Sequence, residues 1–220
     1  MQVSVVHPRA LAEDDVKEMF SLFSTAFRAD QGGFKSDLLE KQRVLRVRGE
    51  EGLVAFSTLT FYSPEPGVRV VFSGDTYVSP EARVGEGLPG LWARYVFAEM
   101  PREEGLDYYW LLLCSGYRTY RLLPTFFLHY APEPESHPTL CAKLNTWAKE
   151  IFGDSFERGV VRPRFATPLK DPDPPERLKS DPHVAYFMNS NPGYSQGDEL
   201  VCLTSLQREN LTPAGLRLAR

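Results

Sequence analysis

Residues 72–91 read FSGDTYVSPEARVGEGLPGL, with Gly85, Gly87 and Gly90 inside six positions. Backbone without Cβ atoms at the start of a helix can converge several N–H donors on a phosphate. The N–H groups from Val84 to Leu88 would supply them, at the positive end of the helix that follows. Pro89, in its first turn, gives up a donor that has no helical partner anyway. Glu86 suits this arrangement only with its carboxylate turned to solvent. The same glycines can equally make a sharp strand-to-helix corner that holds nothing. The spacing excludes a P-loop, because no Gly-Lys-Ser/Thr follows. Gly85-x-Gly87-x-x-Gly90 spells the dinucleotide fingerprint, yet it follows a strand meander instead of opening a βαβ unit. No acidic residue closes a second parallel strand at the required distance.

Asp75 is the second chemical feature. It sits within the strand-like run VVFSGDTYV, where a carboxylate is unfavourable unless it faces water or a partner. Asp75 and Tyr77 share one face of that strand. Desolvated, Asp75 would have a raised pKa and could accept a proton, directly or through water. A solvent-facing Asp beside Gly74 at a β-bulge is the other reading. His129 in TFFLHY is a second base candidate, or a hydrogen-bonded residue of the core or rim. Cys114 ends an apolar run with no base near it in sequence and reads as a small packed side chain. Four scattered His and three scattered Cys form no metal-ligand set.

Around these residues the sequence predicts an ordered series of elements. QVSVV (2–6) alternates as a strand, and 13–28 has helical spacing with acidic residues in its first turn. DQGGF ends that helix, and FKSDLLEKQ predicts a short second one. Strands at 42–48, 53–62 and 68–78, joined by Gly- and Pro-containing turns, make an antiparallel meander. Residues 88–100 return to helical spacing. DYYWLLLC (107–114) is apolar almost throughout, as in a strand buried on both faces. SGYRTYRLL (115–123) predicts a short helix with Ser115 as N-cap, stopped by Pro124, and TFFLHY predicts a strand. Beyond residue 131 prolines crowd the chain. A helix is predicted at 138–152, a surface course at 162–182, a strand at 199–206 and a short closing helix after it.

This order resembles the GNAT acyltransferase superfamily, on the strand VRVVFSGDTYV meeting the turn VSPEARVGEGL, the helix after it, and DYYWLLLC running into SGYRTYRLL. The resemblance implies an α/β fold with a mixed, mostly antiparallel central sheet flanked by helices. It covers an acyl-CoA-binding core over 1–131; residues 132–220 form a Pro-rich extension that packs on the core and adds a strand near 199–206. It implies acetyl-CoA or another acyl-CoA as co-substrate, its pyrophosphate at the turn, with Tyr77, Val78, Arg83, Val84, Gly85, Glu86, Gly87, Leu88 and Ser115 around it. The superfamily's turn is Gln or Arg, two residues, Gly, one residue, then Gly or Ala. Here Ala82 stands where the Gln or Arg belongs and Arg83 comes one place late. The resemblance also implies direct attack by an amine, with a Tyr of the helix after the buried strand as acid. Tyr117 and Tyr120 are the candidates, Tyr120 better by position, and packing with the hydroxyl at the surface is the alternative for both. The superfamily's Asn near the start of that segment is missing; Ser115 could replace its hydrogen bond.

The bounds agree with such a protein. The chain has 220 residues, net charge −4 and 42% hydrophobic residues, enough for a large core. No basic stretch favours nucleic acid, no apolar run is long enough to span a bilayer, and the three cysteines form no disulfide framework, as in a cytoplasmic protein. The expected acceptor is an amine of a small molecule or peptide; an acyl carrier protein as donor and a homodimer are further expectations. A GNAT-like fold that has lost catalysis and serves as a binding module is the competing expectation.

Overall fold

Alternating apolar residues on the strands bury two faces of one sheet, and helices with apolar stripes cover both. The computed structural model describes residues 2–83, 87–135, 137–162, 166–168 and 173–220. In chain order the elements are β1 (Gln2–Val6), α1 (Glu13–Ser24), β2 (Phe27–Ala29), α2 (Gln31–Glu40), β3 (Arg43–Arg48), β4 (Leu53–Tyr62) and β5 (Val68–Val78). Then come α3 (Gly87–Arg94), which runs on as a π-helical turn over Tyr95–Glu99, β6 (Asp107–Cys114), α4 (Tyr117–Tyr120), α5 (Leu122–Phe126), β7 (Tyr130–Ala131) and α6 (Pro138–Phe152). The remainder is β8 (Phe156–Glu157), β9 (Val160–Val161), β10 (Ala166–Pro168), α7 (Glu176–Lys179), α8 (Pro182–Ser190), β11 (Glu199–Ser205) and α9 (Pro213–Leu218).

The main sheet has the order β1-β3-β4-β5-β6-β11-β9-β8, with β7 also on β11. Every pairing is antiparallel except β5 with β6. The fold is therefore α/β with a mixed, mostly antiparallel central sheet flanked by helices. One face packs Val71, Trp110 and Leu112 against Leu91 and Val96 of the third helical segment, Tyr120 of α4 and Phe187 of α8. On the other face, Val70, Leu111 and Val201 lie under Trp147 of α6, while Val44 and Phe56 lie under Met19 of α1 and Leu38 of α2.

Several boundaries differ from those the sequence predicts. The first helix stops at Ser24, four residues short, where the Thr25 hydroxyl donates to Leu22 O at 2.8 Å. Phe27 lies in β2, paired with β10, and its ring stacks on Phe23 at 4.5 Å; this contact mimics helical spacing. DQGGF opens α2 instead of closing α1, because the Asp30 carboxylate accepts from Gly33 N at 2.6 Å. Pro124 does not stop a helix. It lies inside the first turn of α5, where a missing N–H costs nothing. TFFLHY is therefore not a strand: Thr125 and Phe126 are helical and only Tyr130–Ala131 pairs with β11. Ser115 is not an N-cap; Gly116 holds that position and no side chain bonds there.

Candidate functional site

The parallel pair β5–β6 runs in register from Val68↔Asp107 to Ser73↔Leu112 and stops there. Beyond it, β5 continues to Val78 on β4, and β6 continues to Cys114 on β11. The sheet splits at that point. A bulge accompanies the split: β4 pairs Leu59 with Ser73 but Ser57 with Thr76, so Gly74 and Asp75 bow out opposite Thr58. A Cβ on Gly74 would meet Thr58 Oγ1 at 2.8 Å and lie 3.5 Å from Lys41 Nζ. Ser73, at the apex, accepts the indole N–H of Trp110 at 2.9 Å and of Trp92 at 3.1 Å.

The split opens a cavity of about 960 Å³ that reaches both faces of the sheet. On the α3 side, Leu88, Trp92, Trp110, Tyr117, Arg118 and Phe127 line it. On the α2 side, Asp37, Lys41, Phe72, Asp75, Phe152 and Glu199 do. The β6-side edge of residues 74–78 has no strand beside it among the described residues. It leads toward α3, whose first residue, Gly87, has φ +41° and could not carry a Cβ, which would lie 2.9 Å from Ala82 O. Both the positive φ and that carbonyl close the position to any residue but glycine.

The structure gathers Asp75, Tyr77, Val78, Leu88, Ser115 and Tyr117 around this cavity. Asp75 and Tyr77 lie toward α2 and α1, where the Tyr77 hydroxyl bonds to Thr25 Oγ1 at 2.7 Å, the Thr25 proton being already given to Leu22 O. Val84, Gly85 and Glu86, the centre of the predicted phosphate turn, lie outside the described residues. The backbone of Arg83 closes a short 3₁₀ turn, Pro80–Arg83. Tyr120 is not among the cavity residues. It is fully buried, donates its hydroxyl to Pro132 O at 2.8 Å and stacks on Tyr186. Burial holds its phenol far above the ordinary value. His129 is exposed, its ring 3.0 Å from His137 Nε2 and away from the cavity. Cys114 is buried and free.

Three residues that sequence reasoning did not single out complete the site. Glu199 opens β11 on the α2 side, one step beyond the Leu200↔Cys114 pair, and so faces Asp75 across the split. Burial pushes its carboxyl up to about 7. Asp37, on α2, reaches Asp75 and pairs with Lys41 at 2.8 Å. Asp75 Oδ2 is shut off from solvent and has no hydrogen-bond donor. Burial, then the facing Asp37 carboxylate, raise the Asp75 carboxyl well above its ordinary range; Lys41 opposes the shift and Glu199 adds to it. The Asp75 carboxyl thus holds its proton more tightly than an ordinary aspartate does. The third residue is Arg118, whose guanidinium lies 5.4 Å from the Tyr117 ring centroid beside the α3 lobe. The available signal was an acid beginning the otherwise apolar run ELVCLTSL.

No protein-family model matches the chain, and no curated protein sequence does. Solved structures do resemble it. A ribosomal-protein-alanine N-acetyltransferase from Brucella melitensis biovar Abortus 2308 is 21% identical over 51% of this chain and 79% of its own, with a TM-score of 0.38. The Escherichia coli ribosomal-protein-S18-alanine N-acetyltransferase is 11% identical over 94% and 95%, with a TM-score of 0.43. GphF, a GNAT-like decarboxylase in complex with isobutyryl-CoA, is 13% identical over 94% and 100%, with a TM-score of 0.44. At these scores the likeness stops at similarity and gives no residue a role.

Proposed function

We propose that the chain is a GNAT-like N-acyltransferase that moves an acyl group from acyl-CoA to an amine. The observation that carries this is the split after Ser73↔Leu112, which joins an unpaired β5 edge, the start of α3 and a cluster of carboxylates in one cavity. The free edge over 74–78, including Tyr77 and Val78, is suited to the amides of a pantetheine arm, which would add to it as an extra strand does. The N–H groups at Gly87 and Leu88 suit a pyrophosphate. Arg83, Val84, Gly85 and Glu86 remain assigned to the same turn, and Arg118 adds a cation to the cavity lining.

Bound acyl-CoA supplies the activated thioester; the amine nitrogen forms the new C–N bond as the C–S bond breaks. Glu199 takes the proton from the amine. With its carboxyl near 7 it is divided between its two forms at neutral pH, the condition a general base needs. Asp75, the sequence candidate for this role, is raised well above its ordinary range by burial and the facing Asp37, and is less available as a base. Tyr117 returns a proton to the departing thiolate; the Tyr120 hydroxyl is already committed to Pro132 O. Ser115 lines the cavity where the arm would end. The committed Tyr120 also favours a second reading, a GNAT-like binding protein without turnover. Titration with acetyl-CoA and longer acyl-CoAs, followed by turnover of Tyr117→Phe, separates the two. The proposal fails if no acyl-CoA binds, or if Gly87→Glu binds it as wild type does. Tight acyl-CoA binding without transfer to any amine selects the binding module.

A further inference from the structure

The α2 side of the split holds more carboxyl groups than one proton transfer requires. Asp37, Glu40, Asp75 and Glu199 line it, against Lys41 and Arg162. Lys41 is committed to Asp37, and Arg162 to Asp198 with Glu157 at 3.9 Å. Neither Asp75 nor Glu199 has a cation at ion-pair distance among the described residues. Asp75 lines the cavity, and its Oδ2 is buried and lacks a donor. A buried carboxylate oxygen in that state costs free energy until something donates to it. Apolar rings line the cavity on the same face of the sheet: Phe23, Phe27, Phe72 and Phe152.

Resting on the acyl-transfer reading, we infer that the acceptor is a primary amine with a second cationic nitrogen on a short methylene chain, one nitrogen meeting Asp75 and the other Glu199. A diamine, a polyamine or a lysine-like side chain has this form. Its methylenes lie along the phenyl rings, as the stems of long cationic side chains do on apolar surface. Its charges supply the cations that Asp75 and Glu199 lack. An acceptor bearing a carboxylate would bring a like charge into the lobe and is rejected. Cation binding also displaces protons, since it favours the ionised forms of both carboxyls.

Calorimetric titration at pH 7 with 1,4-diaminobutane, n-butylamine and 4-aminobutanoate tests this, in two buffers of different ionisation enthalpy. The diamine binds at least tenfold more tightly than butylamine, aminobutanoate gives no heat, and the diamine heat changes with buffer because protons leave. Glu199→Gln and Asp75→Asn each weaken diamine binding tenfold or more, and acetyl-CoA titration of the same variants reports whether the cavity is intact. Equal affinity for butylamine or aminobutanoate overturns the inference, as does diamine affinity untouched in both variants. Acetyl-CoA binding without diamine binding sinks the inference and leaves acyl transfer standing. Diamine binding without acetyl-CoA binding sinks acyl transfer and leaves a cation site. Silence with both removes both.

Discussion

Replacing Glu199 by Gln removes an ionisable group from a place that disfavours its charge, so stability should depend on pH in a defined direction. The carboxyl lies near 7 when folded, against an ordinary 4.5. Its folded form holds the proton more tightly than the unfolded chain. The stability this contributes is complete below about pH 4.5 and is lost as pH climbs through about 7. At about 1.4 kcal/mol for each tenfold in proton affinity, the loss is about 3 kcal/mol. Glutamine is neutral at every pH and keeps its stability. The variant should therefore match wild type near pH 4.5 and exceed it by about 3 kcal/mol at pH 8. In a chain of this size that is about 6–12 °C in Tm. Asp75 shifts in the same direction in both proteins, so the difference isolates Glu199 apart from its coupling to Asp75. Urea or thermal unfolding of both proteins at half-unit steps from pH 4.5 to 8 measures the offset. An offset that is constant with pH, or a variant weaker than wild type at pH 8, would refute the desolvation of Glu199 and with it the choice of base.

The remaining expectations concern other parts of the same cavity. Tyr120→Phe should cost about 1–3 kcal/mol, since Pro132 O loses its buried donor, while turnover per folded molecule stays close to wild type in a steady-state assay; a hundredfold loss of kcat would return the acid role to Tyr120. Tyr117→Phe should do the reverse, with acyl-CoA affinity kept and kcat down by about 10²–10⁴. Gly87→Ala should cost about 1–2 kcal/mol from its left-handed φ alone, and should weaken acyl-CoA binding in the same titration; unchanged affinity argues against that turn. In Ser73→Ala both indole N–H groups lose their acceptor. Unfolding should show a loss of about 2–4 kcal/mol, and a loss under 1 kcal/mol would mean that water replaces the hydroxyl.

Regular elements were legible because their signals are local. Periodicity in QRVLRVR, LVAFSTLTFY and PTLCAKLNTWAKEIF is set by which face each residue must bury, and those runs formed as spaced. Signals failed where a distant partner decided. Phe27 looks helical because its ring reaches Phe23, but its backbone pairs with residues 166–168. Pro124 looks like a stop because its position relative to the helix start is invisible in the letters. The site divides the same way. Asp75 stood out as a charge in an apolar strand. Glu199 lies 124 positions away and enters only through the β6–β11 register. Tyr117 and Tyr120 differ by less than a helical turn, so no local pattern could say which would face the cavity and which would be sealed against Pro132.

The split itself has a physical cause in a few residues. Parallel strands pair until something ends the ladder, and here three features act at one level. The bulge at Gly74 and Asp75 bends β5 away from the line of β6. Lys41 lies close over Gly74 and, through its ion pair, fixes Asp37 beside Asp75. Trp92 and Trp110, with rings 4.2 Å apart and both indoles on Ser73, fill the space directly behind the apex. Two large rings sharing one hydroxyl act as a wedge on one face, and like-charged carboxylates keep the strand ends apart on the other. Closing the split would press Asp75 against Glu199, whose charge already adds to the proton affinity of Asp75. The charge that makes the cavity costly to leave empty is thus the same charge that keeps it open, and a cationic guest would stabilise the open form without removing its cause.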